Sequence, residues 1–348
     1  MPEATYRGRR AATIENYDLR VTVLREGGHV AEILDRQTGV NPLWTPPWLS
    51  MEPSAYDAAR HPQYGSGAEA KLLAGIVGHN LCLDVFGGPS PEEAAAGMTV
   101  HGEGSVGPYE IEGGDDRLLM RTHLPMAGLR FERTLELHSR AVRFREQVEN
   151  LSSCDRPIAW TQHVTLGPPF LEPGQTQFRA PATRSKVFES EFGSDAYLAT
   201  GAEFDWPAAP AAGGGTVDLQ VYREAGASSA FTTHLMDPGK EHAYFVAWSP
   251  AVKLAFGYVW NRADFPWLGI WEENHSRKNP PWNGESLTRG MEFGVSPIPE
   301  SRREMIDRGR LFGVPVYRWL PAKGRLETEY WAALQPADSV PEELQWPK

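Results

Sequence analysis

FERTLELHSRAVRFREQVENLSSCDRPIAWTQHVTLG, residues 131–167, decides how this chain folds. Successive side chains of a strand point to opposite faces, and the stretch alternates three times in series. In LRFERTLELHS (residues 129–139), Leu129, Phe131 and Arg133 oppose Arg130, Glu132 and Thr134. In AVRFREQVENLS (residues 141–152), Val142 and Phe144 share a face, Glu146 interrupts it, and Val148 restores it. In PIAWTQHVTLG (residues 157–167), Trp160, Gln162 and Val164 point one way, and Ala159, Thr161, His163 and Thr165 the other.

Outward from this core the pattern repeats. LRVTVLR (19–25) places Leu19, Val21 and Val23 on one face, and HVAEILD (29–35) follows Gly27-Gly28, the signature of a hairpin. Further strands are predicted at 217–222, 242–248, 252–260, 291–295, 311–319 and 326–333. Short apolar runs separated by Gly and Pro argue for many strands and few helices. Two short helices are predicted, at 89–98 and at 300–309, the second stopped by Gly309. PAAPAAGGGT (207–216) reads as a flexible surface loop. Strands of similar composition flank it, so residues 1–348 read as a single domain: a mostly-β, antiparallel β-sandwich with wide sheets and long functional loops.

Forty-five acidic residues against 34 basic ones give a net charge of −11, which argues against a polyanionic partner such as nucleic acid. Cys82 and Cys154 lie in no CxxC pair, and both read as small buried hydrophobes. No apolar stretch approaches the length that spans a membrane, and MPEATYRGRR lacks the apolar run of a secretory signal. The expectation is a cytoplasmic protein, monomeric or homodimeric, without a membrane partner.

Four segments could carry chemistry. VHGEGSVGPYEI (100–111) opens with His101 on a glycine-rich loop, where a backbone can approach a ligand closely. The second strand face of residues 157–167 presents His163. RGMEFGVSPIP (289–299) holds Glu292 between Met291 and Phe293; a carboxylate buried there must be paired, hydrogen-bonded or raised in pKa. VWNRADFPWLGIWEENHSRKNPPWNG (259–284) gathers Trp260, Trp267, Trp271 and Trp282 with Glu272, Glu273 and Arg277. Sugars offer apolar C–H faces and hydroxyl edges, which suit such a mixture. Each segment also has a purely structural reading: a turn histidine, a bonded core histidine, an edge-strand glutamate and packed tryptophans. Phosphate-loop, zinc-helix, nucleophile-elbow and dinucleotide motifs are missing from the sequence.

Taken in order, these pieces resemble the galactose mutarotase-like superfamily, aldose 1-epimerases included, over residues 19–333. The run FERTLELHS…TQHVTLG is similar to the family's two strands, a turn Asn (Asn150) and a strand bearing the catalytic His (His163). VHGEGSVG is similar to its His-Gly-Gly loop at His101, and GMEFGVSPIP to its strand with the catalytic Glu at Glu292. GHNLCLDVFGG (78–88) keeps the family's Asn as Asn80, but Leu81 replaces the following Arg. Gln162 stands where the family has Asn. The resemblance implies interconversion of sugar anomers with no cofactor and no metal, Glu292 acting as base, a cationic His163 as acid, and His101 steadying the ring oxygen. It also implies sugar contacts from Asn80, Gln162, Trp271 and Glu272. Its alternatives are a non-catalytic carbohydrate-binding protein, a sugar-phosphate epimerase, a polysaccharide lyase, or a metal enzyme ligated by His101 and His163.

Overall fold

In the computed structural model, which describes residues 4–190 and 192–347, the chain builds two large antiparallel sheets. The eight-stranded sheet runs, side by side, Gln177–Arg179, His242–Ser249, Leu254–Asn261, Arg325–Pro336, Ala141–Asn150, Leu129–His138, Arg117–Leu124 and Glu110–Gly113. The twelve-stranded sheet has four central strands: β1 (His79–Asp84), β2 (Arg156–Leu166), β3 (Trp267–Asn274) and β4 (Arg289–Gly294). Their lateral order is β1, β2, β4, β3. Ala4–Tyr6 through Val30–Asp35 extend the sheet beyond β1, and Ser228–Met236, Ala182–Val187 and Glu203–Asp205 extend it beyond β3.

The alternation predicted from sequence sorts the side chains of both sheets. Leu83, Trp160, Val164 and Phe293 from the large sheet meet Phe131, Phe144, Tyr258 and Tyr330 from the small one in a single core. Phe293 stacks on Trp260 with ring centroids 4.2 Å apart and an interplanar angle of 12°. Such an offset pair adds about 0.5–1.5 kcal/mol beyond the area it buries. Arg133 and Glu146, the two charges that broke the apolar pattern, are directly opposed in the strand register. Both are buried, and Arg133 Nε donates to Glu146 Oε1 over 2.7 Å.

The outer face of the large sheet is covered as well. A second apolar cluster lies there, contributed by Leu72 and Leu73 of helix α1 (Ala70–Gly75) together with Phe86, Phe231, Trp271 and Trp282. Both predicted helices occur. Helix α2 (Pro91–Ala95) begins with a Ser90/Glu93 capping box and α3 (Arg302–Arg308) with a Ser301/Glu304 box, ending at Gly309.

Several expectations need correcting. Residues 208–218 carry a small hairpin of Ala208–Pro210 and Thr216–Asp218, where a flexible loop was expected. The strand expected at 311–319 is broken into Arg310–Leu311, Val314–Pro315 and Arg318–Leu320, because Pro315 and Gly313 interrupt it. Cys82 is buried as expected, but Cys154 is exposed in the turn after Asn150; neither is bonded to the other. No helix among the described residues is long and apolar enough to cross a membrane.

Candidate active site

The antiparallel register places one residue from each central strand in a row across the sheet: Asn80, His163, Glu292 and Gly269. Side chains in register share a face. This is the outer face, and the cleft it borders lies outside the sandwich core, beneath the α1 region. The reason is parity: Trp160, Gln162 and Val164 take the core face, and His163 takes the other.

His163 Nε2 lies 3.1 Å from Glu292 Oε1. His163 Nδ1 lies 3.1 Å from Thr165 Oγ1, two residues along the same face. Gly290 makes room for the carboxylate, since a Cβ there would stand 2.6 Å from Glu292 Oε1. His101 reaches the same spot from its loop, with ring centroids 4.9 Å from His163. Gly102 allows this: its φ is +79°, and a Cβ would meet Leu83 O at 2.3 Å, so only glycine lets the loop lie on β1. His101 Nδ1 lies 2.6 Å from the Phe86 carbonyl. A carbonyl only accepts, so Nδ1 carries the proton and Nε2 is left as an acceptor.

These three side chains line one cleft of about 200 Å³, walled by Leu73, Phe86, Phe231, Trp271 and Trp282. Trp271 sits against the histidine, 5.7 Å between ring centroids. Burial raises Glu292 to about 8 and pushes His163 well below the ordinary 6.5, with His101 depressing it further. Burial likewise lowers His101 to about 4, against the pull of the Phe86 carbonyl. Burial therefore opposes the cationic His163 that the resemblance implied and favours a neutral pair holding one proton, shared between Nε2 and the carboxyl group while Nδ1 faces Thr165 Oγ1.

Two residues expected at the sugar are elsewhere. Gln162 faces the core, where Oε1 accepts from Arg133 over 2.9 Å and Nε2 donates to Glu146 over 2.7 Å. Glu272 is likewise on the inner face, accepting from Tyr197 Oη over 2.7 Å and lying 3.5 Å from Arg289. Leu81, too, packs in the core. Glu273 is on the outer face, but its carboxylate accepts from the backbone of Ser276 and Arg277 and shapes that turn. Asn80 borders the site beside His163, buried, with neither amide atom bonded. The sequence reading missed Phe86, Phe231 and α1 as walls, along with the space left by Gly290. Phe231 belongs to a strand buried on both faces, which gives no alternation to read. Among the described residues no three metal-ligating side chains gather at one point.

The architecture has solved counterparts. A candidate aldose 1-epimerase from Klebsiella pneumoniae superposes with a TM-score of 0.68 at 15% identity, over 95% of this chain and 80% of that one. A galactose mutarotase related enzyme from Lactobacillus acidophilus gives 0.60 at 12% identity, over 95% and 99%. A galactose mutarotase-like protein from Clostridium acetobutylicum gives 0.60 at 14%, over 96% and 98%. The chain has the galactose mutarotase-like fold. No protein-family model matches the sequence, and no curated protein is similar to it at the sequence level.

Proposed function

We propose that this protein is an aldose 1-epimerase-like isomerase that interconverts the anomers of a free sugar. The observation that carries the reading is the His163–Glu292 pair, 3.1 Å apart at the floor of a buried, aromatic-walled cleft. The C1 hydroxyl oxygen and the ring oxygen of a pyranose are bonded to one carbon. An acid and a base that serve both must therefore stand within a few ångströms of each other, as these two groups do.

The chemistry is a proton exchange at a hemiacetal. A base takes the C1 hydroxyl proton as C1=O forms; the bond from C1 to the ring oxygen breaks, and an acid protonates that oxygen. Rotation about C1–C2 and the reverse steps give the other anomer. Burial disfavours charge on both members and favours one shared proton, so either can serve as the acid and the other as the base. The pair exchanges its proton directly, so both assignments lead to the same open-chain aldehyde. His101 accepts a hydrogen bond from a sugar hydroxyl through Nε2; with Nδ1–H spent on Phe86, it does not donate to the ring oxygen. Trp271 offers an aromatic face to the C–H side of the sugar.

The alternatives have less support. Arg277 is the one cation lining the cleft among the described residues, and it is paired with Glu273 at 3.3 Å. A phosphate-selective site needs converging cations. The cleft is also smaller than the ~300–1,000 Å³ common for larger ligands, which disfavours a polysaccharide chain. Saturation-transfer NMR on fresh α-glucose, α-galactose and their deoxy analogues tests the proposal. Faster exchange between anomer signals in its presence is expected; binding without acceleration would make the protein a carbohydrate-binding module instead.

A further inference from the structure

A second, larger concavity of about 900 Å³ shares no lining residue with the cleft. Pro266, just before β3, and Val295, just after β4, border it, and residues 308–319 supply most of the rest. Four guanidinium groups line it, those of Arg262, Arg308, Arg310 and Arg318, against one carboxylate, Asp264. In a chain of net charge −11 this is a local reversal of sign. Two of the four are committed: Arg308 lies 2.7 Å from Glu189 and 3.0 Å from Glu300, and Arg318 lies 3.7 Å from Asp264. The other two are not. Arg262 Nε donates to Lys240 O over 3.1 Å and Arg310 Nη1 to Gly313 O over 2.7 Å, and among the described residues neither is ion-paired. The same groove holds Trp319, 55% exposed, whereas the other eleven tryptophans are buried or half-buried. Tyr317 stands edge-on to it, with ring centroids 5.7 Å apart and an interplanar angle of 84°.

From this we infer that the groove is a second binding site, for a short oligosaccharide that carries carboxylate groups. An aromatic face left in water suits the C–H side of a pyranose. A guanidinium with uncommitted N–H groups takes a carboxylate through paired, charge-assisted hydrogen bonds. The volume lies within the ~300–1,000 Å³ of ordinary ligand sites, which leaves room for more than one sugar ring. Rings as nearly perpendicular as Tyr317 and Trp319 cannot sandwich a flat nucleobase between them. The negative charge of the whole chain repels a long polyanion, so the match is to a short acidic chain.

The test titrates trigalacturonate, its neutral methyl ester and adenosine monophosphate into the wild-type protein and into Arg262→Ala, Arg310→Ala and Trp319→Ala. NMR reads affinity, and the melting temperature checks that each variant is folded. The expected result is that trigalacturonate binds the wild type ~10-fold or more tighter than its ester, that each substitution weakens it by ~10-fold or more, and that its affinity falls as salt is added. An ester that binds as tightly as the acid would overturn the carboxylate recognition. Tighter binding of adenosine monophosphate would make the groove a nucleotide site instead. No binding of trigalacturonate, or binding that all three folded variants retain, would overturn the inference. No residue lines both sites, so these outcomes do not depend on the proposed anomer interconversion.

Discussion

Glu292 stands directly opposite His163 in the register of β2 and β4, and the two side chains meet at 3.1 Å on the sheet's outer face. Strand pairing sets this contact, with no loop involved. A slip of one residue would turn either side chain into the core, so the many hydrogen bonds of the ladder hold the pair in place. Side chains mounted on paired strands keep the fixed geometry that proton transfer needs.

Replacing either member should remove chemistry and spare binding. Glu292→Gln and His163→Asn are each expected to lower anomer exchange by ~10²–10⁴-fold, with the sugar Kd changed by no more than a few-fold. Groups that act as a unit are not additive, so the double variant should be no slower than the slower single one. Saturation-transfer rates and NMR titrations check all three. Near-normal turnover in either single variant would remove that residue from the mechanism.

The proton on the pair predicts the pH profile. Glu292 loses it as pH rises through about 8, and His163 gains a second only well below 6.5. Values of kcat/KM should therefore be level across neutral pH and fall above about 8. Activity that climbs through pH 8 would mean that the ionised carboxylate is the required form. Stability carries the same sign. Glu292 is raised above its ordinary 4.5, so its contribution is present below 4.5 and is lost as pH rises through about 8. The upper bound is ~1.4 kcal/mol per pH unit within that window. Relative to wild type, Glu292→Gln should thus gain in melting temperature from pH 5 to pH 8 and level off beyond.

Much of this was legible in the sequence, and what was not has a physical cause. Alternation gave β2 and the two strands before it, while β1 and β3 were not read as strands; even its interruptions were informative, because Arg133 and Glu146 pair with each other in the core. His101, His163, Glu292 and Trp271 came together in one cleft. Gln162 and Glu272 did not, since a strand neighbour of an outward residue points inward. Gly290 was invisible for a different reason: it contributes an absence, and only the fold shows what that space is for.

His101 is tied by Nδ1 to the Phe86 carbonyl, and in the proposed reaction its part is to accept one sugar hydroxyl. A neutral hydrogen bond contributes roughly 0.5–1.5 kcal/mol. His101→Phe should therefore raise KM by about two- to tenfold and change kcat little. Steady-state rates against sugar concentration separate the two parameters. A collapse of kcat at unchanged KM would place His101 among the proton-transfer groups instead.

Gln162 tests the difference between being next to the site in sequence and being in it. Its side chain joins Arg133, Glu146, His79 and Tyr330 behind the sheet, a network that also holds Trp160 Nε1 on Glu146 Oε2 at 2.9 Å. Gln162→Leu leaves Arg133 and Glu146 each short of a partner inside the core, where an unmet group costs about 1–3 kcal/mol. Glu146→Ala goes further and strands a buried cation, which costs about 3–5 kcal/mol. Chemical denaturation should rank them in that order. At temperatures where both are folded, their sugar Kd should match wild type, because the sugar never reaches that face. A Kd weakened tenfold in folded Gln162→Leu would put Gln162 back at the sugar, as the sequence first suggested.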